Sequence, residues 1–254
     1  MQHLFHGRGR AALMRTMAGR PLLAFDFDGT LAAIVEQPNE ARVALAESER
    51  LARLAQLRPV AVITGRSIED VAPRLGFVPH YIVGNHGAED PGQVNVPDTS
   101  SLDAFRARLA QNANVLHAAG VGIEDKGYSV ALHYRLARDR AAAQRCIEAI
   151  LRDLEPGLHF FGGKFIANVV VAGAPDKGDA VAALVARAGT DAALFVGDDI
   201  NDEAVFARAE PSWLTVRIGR DDPLSKADFF LDGHDEVAAL LQLLLDVLVP
   251  ASNR

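Results

Sequence analysis

The sequence predicts an α/β protein in which a parallel sheet with helices on both faces is interrupted by a smaller α+β module. Three observations lead there. Near-continuous apolar runs at Pro21–Phe27, Pro59–Thr64 and Ala193–Val196 alternate with helical periodicities, as strands buried on both faces of a parallel sheet do. From about Pro91 the pattern changes to helix, hairpin, helix, hairpin. From Asp176 the alternation of helix and apolar strand returns.

Each element follows from its residues. The first twenty, MQHLFHGRGRAALMRTMAGR, are basic, with no apolar core or small-residue cleavage site. They read as an N-terminal extension carrying a short helix, not a secretory signal. Pro21–Phe27 is a strand that ends in acids and Gly29-Thr30. Glu40–Leu57 has helical spacing of Val43, Leu45, Leu51 and Leu54, and Pro59–Thr64 is a second strand. Ser67-Ile-Glu-Asp70 has the form of a capping box opening a helix, and His80–Val83 is a third strand closed by Gly84.

In the middle, Leu102–Ala119 reads as one helix, and Val121–Glu124 with Tyr128–Tyr134 as a hairpin about Lys126-Gly127. Arg138–Leu154 is a helix, and Leu158–Phe161 with Phe165–Val171 a second hairpin about Gly162-Gly163. The last part gives helix Lys177–Arg187, strand Ala193–Val196, helix Asn201–Ala209, strands Leu214–Ile218 and Asp228–Leu231, and helix Glu236–Leu248. The expected division is a Rossmann-like parallel-sheet core from residues 1–92 and 175–254, with an inserted α+β domain over 93–174. The crossings near Glu89–Val96 and Val171–Asp176 hold Pro91-Gly92, Gly173 and Pro175, which suit a pair of hinges.

Composition narrows the function classes. With 254 residues, 49% hydrophobic and 23% charged, the chain has the make-up of a globular protein, not of a disordered or fibrous one. A net charge of −7 argues against binding nucleic acid through the overall field. The single cysteine, Cys146, allows neither an internal disulfide nor a cysteine-based zinc site. The most apolar stretch, Val237–Val249, falls short of the roughly 20 residues a membrane span needs. A cytoplasmic protein is expected.

The chemistry-bearing residues gather at strand ends, where open α/β sheets place ligands. Asp26 and Asp28, in Asp26-Phe-Asp28-Gly-Thr30, repel each other unless a cation or shared proton compensates. A strand-end turn using Asp for local hydrogen bonds is the plainer alternative. Gly197-Asp198-Asp199-Ile-Asn201-Asp202 puts three acids at a second strand end, a hard-oxygen set suited to Mg²⁺. An acid-rich helix start would look the same. Thr64-Gly65-Arg66 offers a hydroxyl and backbone amides to a phosphate oxygen, or is an ordinary turn. Lys177 begins a helix, against the dipole, so it serves an anion or is simply solvated.

Together, in this order, Asp26-Phe-Asp28-Gly-Thr30, Thr64, Lys177 and Gly197-Asp198-Asp199-Ile-Asn-Asp202 resemble the four motifs of the haloacid dehalogenase superfamily of phosphotransferases. The resemblance implies that Asp26 is the nucleophile, forming an aspartyl-phosphate, and Asp28 the general acid–base. It implies that Thr64 and Lys177 hold the phosphoryl oxygens. Mg²⁺ would be bound by Asp26, Asp198 and the Asp28 carbonyl, with Asp199 and Asp202 in support.

The insert lies between the second and third motifs, as in a C2-type cap. Gly84-Asn-His86-Gly-Ala-Glu89 and Glu124-Asp-Lys126-Gly…His133-Tyr-Arg135 resemble trehalose-6-phosphate phosphatases, from about Leu22 to Leu248. This implies hydrolysis of trehalose 6-phosphate to trehalose and phosphate, with a trehalose-6-phosphate synthase as functional partner. It implies substrate contacts at Gly65, Arg66, Asn85, His86, Glu124, Lys126 and Asn168. Without the resemblance, Glu124 and Lys126 read as a surface salt bridge. Asn168 stands where the family usually has Glu, a neutral hydrogen-bonding group in place of a charged one. Another capped sugar phosphatase, a phosphohexomutase and a non-catalytic sugar-phosphate sensor are the competing readings.

Overall fold

The structure is a computed structural model that describes residues 1–93, 98–163 and 165–249. The chain divides into two units, one of Met1–Asp90 with Pro175–Arg254, the other of Pro91–Ala174. The end of the expected first crossing, 94–96, lies outside the described residues.

In the first unit the elements before the insert are β1 (Gln2–His3), α1 (Gly7–Ala18), β2 (Leu22–Phe25), α2 (Leu45–Ala55), β3 (Val60–Ile63), α3 (Ile68–Val71) and β4 (Tyr81–Val83). The second unit holds α4 (Ser101–Gln111), α5 (Ala113–Ala118), β5 (Gly122–Asp125), β6 (Ser129–His133), α6 (Arg140–Leu151), β7 (Leu158–Gly163) and β8 (Ile166–Val171). The first unit then resumes with α7 (Lys177–Arg187), β9 (Ala193–Gly197), α8 (Glu203–Arg208), β10 (Leu214–Ile218), β11 (Phe229–Leu231) and α9 (Val237–Leu248).

The first unit is the α/β core that the apolar runs predict. Its sheet is wholly parallel, in the order β1-β11-β10-β9-β2-β3-β4. Every residue of β2, β3 and β9 is buried because both faces are covered. Leu23, Phe25, Val60, Val62, Leu194 and Val196 pack with Leu13, Leu51 and Leu240 of α1, α2 and α9. Their neighbours Leu22, Ala24, Ala61, Ile63 and Phe195 pack with Val181, Leu184 and Phe206 of α7 and α8. The chain runs outward from β2 through β3 to β4, then returns at β9 and runs outward the other way. β2 and β9 therefore flank the topological switch point, whose crevice at the strand C-termini is the natural ligand position.

The second unit has a four-stranded antiparallel sheet, β5-β6-β8-β7. Val130, Leu132, Ala167 and Val169 on one face meet Phe105, Leu116 and Ile147 of its helices.

Several expectations shift. The N-terminal stretch is no mere extension: β1 pairs with β11, and Leu13 and Met17 are core residues. The α2 helix starts at Leu45, not Glu40, because Val43 is drawn into the core and its amide bonds to Arg74 O at 3.0 Å. Ser67 caps α3, accepting from the Asp70 amide at 3.3 Å, but the box is not closed because Arg66 and Arg74 take the Asp70 carboxylate. The helix expected over Leu102–Ala119 breaks at Asn112, whose Nδ2 bonds back to Arg108 O at 2.9 Å. Gly162 and Gly163 are strand residues of β7, in register with Ala167 and Ile166, not the turn, and Phe165 just before β8 has φ 64°. The Asn201–Ala209 helix starts at Glu203, after a 3₁₀ turn at Ile200–Asp202. Among the described residues no helix is long and apolar enough to cross a membrane.

Candidate active site

Four adjacent strands deliver the site. Asp26 follows β2, Thr64 follows β3, Asn85 and His86 lie just past β4, and Asp198 follows β9. Lys177 is the first residue of α7, held there by a reciprocal cap: the Asp179 amide donates to Asp176 at 2.9 Å, and the Asp176 amide to Asp179 at 3.0 Å.

The centre is a buried charge cluster. Asp26, Asp198, Asp202 and Lys177 are each 5% exposed or less. Carboxylate oxygens of the three acids lie within 4.8 Å of one another. Lys177 Nζ bridges Asp26 Oδ1 at 2.8 Å and Asp202 Oδ1 at 2.7 Å. Burial pushes the Asp26 carboxyl well above the ordinary range, Lys177 pulls it down, and Asp202 and Asp198 push it up again. Burial pulls the Lys177 ammonium down, but Asp202 and Asp26 outweigh this and hold it above the usual lysine value. Three carboxylates and one ammonium sum to a charge of −2 for these four side chains when all are ionised. Three buried oxygen donors and that charge fit a divalent hard cation.

The polypeptide is packed tightly here. Gly29 has φ 78°, and a Cβ on it would lie 2.2 Å from Asp198 Oδ2. Only glycine lets the first acidic loop lie against the second.

The other expected residues are placed as follows. Thr64 is buried, and its Oγ1 accepts from the Arg66 amide at 3.2 Å, so that amide is turned inward while the hydroxyl hydrogen can point elsewhere. Gly65 lies under the His86 ring, where an added Cβ would be 2.3 Å from Cε1. Asn85 and His86 are buried with φ 51° and 59°, a conformation that side chains rarely adopt. Asn85 Nδ2 donates to Glu89 Oε2 at 2.8 Å. Asp199 does not join the carboxylate cluster; its Oδ1 accepts from the Ile200 amide at 2.8 Å. Asp202, expected in support, is a full member, and its Oδ2 also accepts from the Asp199 amide at 3.0 Å. The Arg66 side chain, expected to contact substrate, forms a two-point pair with Asp28, Nε to Oδ2 at 2.8 Å and NH2 to Oδ1 at 2.7 Å.

In the second unit, register puts Glu124 opposite Ala131 and Ala131 opposite Asn168, so the two polar residues share the sheet face away from the helices. Lys126 Nζ is 3.8 Å from Glu124 Oε2, and His133 Nε2 is 2.7 Å from the same oxygen. Asn168 is buried, with no hydrogen-bond partner for Oδ1 among the described residues.

A second group, His3, Asp232 and Glu236, has ligand-like spacing. His3 Nδ1 accepts from the Phe5 amide at 3.2 Å, so Nε2 carries the hydrogen and donates to Glu236 at 3.0 Å. That clasp holds the edge strand in place.

Comparison with known proteins decides the family. The trehalose-phosphatase family model matches residues 24–233. The chain belongs to the trehalose-phosphatase family. It is 37% identical over 217 residues to a probable trehalose-phosphate phosphatase of Sinorhizobium fredii, covering 81% of this chain and 80% of that one. It is 35% identical over 266 residues to the trehalose-phosphate phosphatase of Mycolicibacterium paratuberculosis, covering 91% of this chain. The chain spans 64% of the length of that relative, and 16% of an uncharacterized glycosyl hydrolase of Mycobacterium tuberculosis to which it is 34% identical. Among solved structures it is similar to a trehalose-6-phosphate phosphatase related protein, with TM-score 0.71 and 26% identity over 88% of this chain and 96% of that one. The C-terminal domain of a Candida albicans trehalose-6-phosphate phosphatase has the same fold, with TM-score 0.75 and 22% identity, over 92% of this chain and 96% of that one. A haloacid dehalogenase-like hydrolase of Bacteroides thetaiotaomicron also has this fold, with TM-score 0.64 and 16% identity over 88% of this chain and 99% of that one.

Proposed function

We propose that this protein hydrolyses trehalose 6-phosphate to trehalose and phosphate. The observation that carries the reading is the buried set of Asp26, Asp198, Asp202 and Lys177 at the switch point of a trehalose-phosphatase fold. An Asp26 oxygen attacks phosphorus while the bond to the sugar oxygen breaks. The departing electron pair takes a proton from Asp28. Asp28, now a carboxylate, removes a proton from water, whose oxygen attacks the phosphorus and returns Asp26 to its free form. Lys177 and the Thr64 hydroxyl face the phosphoryl oxygens and offset their charge. Asp26 and Asp198, with the Asp28 carbonyl, would hold Mg²⁺, which supplies charge neutralisation for the approach of an anion to an anion. Asp202 keeps Lys177 and the loop in position.

Glu124, Lys126 and Asn168 recognise sugar hydroxyls on this reading. The orphaned Asn168 Oδ1 supports it, since a buried acceptor with no internal partner calls for a donor. Gly65, Asn85 and His86 border the phosphate end. The family also implies a cytoplasmic setting and a synthase that supplies the substrate. Phosphate release from a panel of sugar phosphates, with and without Mg²⁺, tests the proposal. Release from trehalose 6-phosphate alone or far above the rest is expected. A different preferred sugar, interconversion of sugar phosphates without release, or binding without turnover would replace it with one of the competing readings.

A further inference from the structure

The Arg66 guanidinium makes four hydrogen bonds: two to the Asp28 carboxylate, one to Asp70 Oδ2 at 2.7 Å and one to Pro38 O at 2.8 Å. It also lies over the Phe27 ring, 5.2 Å from its centroid. Only 12% of its side chain is exposed, against 48% for Asp28. Among the described residues, every polar contact of the Asp28 carboxylate is with Arg66. An aspartate has two free torsions, and a two-point fork fixes both the place and the plane of its carboxylate. The mount is itself anchored. Asp70 is held from its other side by Arg74, whose NH2 is 2.5 Å from Oδ1 and whose NH1 donates to Asn39 O.

We infer that Arg66 is the positioning residue for Asp28, holding its carboxyl group where a leaving oxygen can take the proton. The inference rests on the reading of Asp28 as general acid. It moves Arg66 from substrate contact to a role exerted through Asp28. When the phosphorus–oxygen bond breaks, the electron pair stays on the leaving oxygen, and the Asp28 proton must already lie along its path. A displaced acid fails most where the leaving group most needs a proton.

The test is a series of substituted phenyl phosphates running from strongly to weakly activated leaving groups, none with a sugar. Arg66→Met keeps the stem over Phe27 and leaves Asp70 held by Arg74. Arg66→Lys keeps a charge but loses the fork. For Arg66→Met the loss in kcat should grow along the series to roughly 10²-fold at the weakest leaving group, the scale of a misplaced catalytic group. Arg66→Lys should fall between it and wild type. Inhibition by inorganic phosphate should hold at the wild-type level. In the Asp28→Asn background, Arg66→Met should add nothing, because it acts through the missing group. A uniform loss along the series, weakened phosphate inhibition or additivity with Asp28→Asn would overturn the inference. If Asp28→Asn steepens the series and Arg66→Met does not, the positioning role fails and the acid assignment stands. If Asp28→Asn itself leaves the series flat, the acid assignment fails and takes this role with it.

Discussion

Lys177 Nζ sits 2.8 Å from Asp26 Oδ1, an ion pair between two side chains that are 1% and 6% exposed. A helix start has been placed against a strand end so that one ammonium serves the nucleophile proposed above. Removing one partner of a buried pair costs ~3–5 kcal/mol, because the other charge is left unpaired. Lys177→Met should therefore lose turnover and lower the unfolding free energy by about that amount in denaturant titration. Wild-type stability in this variant would mean that the pairs Lys177 makes with Asp26 and Asp202 do not stabilise the fold.

On the proposed mechanism Asp28 serves both half-reactions, as acid and then as base. Asp28→Asn should slow turnover of trehalose 6-phosphate by ~10²–10⁴-fold, the usual cost of losing general acid–base catalysis. A near-normal steady-state rate would assign proton transfer to another group.

Sugar recognition separates from phosphoryl chemistry at Glu124 and Lys126. Each charged hydrogen bond is worth ~1.5–3 kcal/mol, or roughly 10- to 150-fold in kcat/KM. Glu124→Ala and Lys126→Ala should each lose about that much on trehalose 6-phosphate, measured beside a small aryl phosphate that makes no sugar contacts and is expected to show no matching loss. Equal losses on both substrates would put these residues in the stability of their own domain.

The network behind Arg66 predicts a pH dependence of stability. Burial pushes the Asp70 carboxyl up, but Arg74 and Arg66 outweigh this and hold it below the ordinary range. A group lowered on folding stabilises above its unfolded value of about 3.9, and that contribution is lost as pH falls through the folded value. Asp70 is one-third exposed, so the pair is worth at most about 1 kcal/mol. Asp70→Asn should be less stable than wild type at neutral pH by that order, and the gap should close as the pH falls below about 4. A gap that is constant from neutral to acid pH would show that the hydrogen-bond geometry, not the charge, carries the effect.

Much of this was legible in the residues, and the remainder has identifiable causes. Buried parallel strands are nearly pure apolar runs, so the strand ends, and with them Asp26, Thr64 and Asp198, could be found by where each run stops. The Lys177–Arg187 helix was read to the residue because its start opposes the dipole and its apolar spacing is regular. β1 has two residues, too few to show a period. The consecutive left-handed Asn85 and His86 were hidden because nothing in those two residue types forces positive φ; the His86 ring packed on Gly65 and the Asn85–Glu89 bond are tertiary. The Arg66–Asp28 fork joins residues 38 apart, and an Arg after a strand-end Gly is equally consistent with a phosphate contact. Asp202 was assigned to support, and its place in the cluster depends on the 3₁₀ turn at Ile200–Asp202 folding it back toward Lys177.

The central claim is that Asp26 becomes covalently phosphorylated. The measurement that tests it most directly is acid-quench mass spectrometry of Asp28→Asn, mixed with Mg²⁺ and trehalose 6-phosphate and digested to peptides. The account predicts a phosphoryl group on the Asp26 peptide, formed within one turnover and missing from the Asp26→Asn protein, which should release no phosphate. Phosphate release by Asp26→Asn, or turnover in Asp28→Asn with the Asp26 peptide unmodified at every quench time, would contradict it.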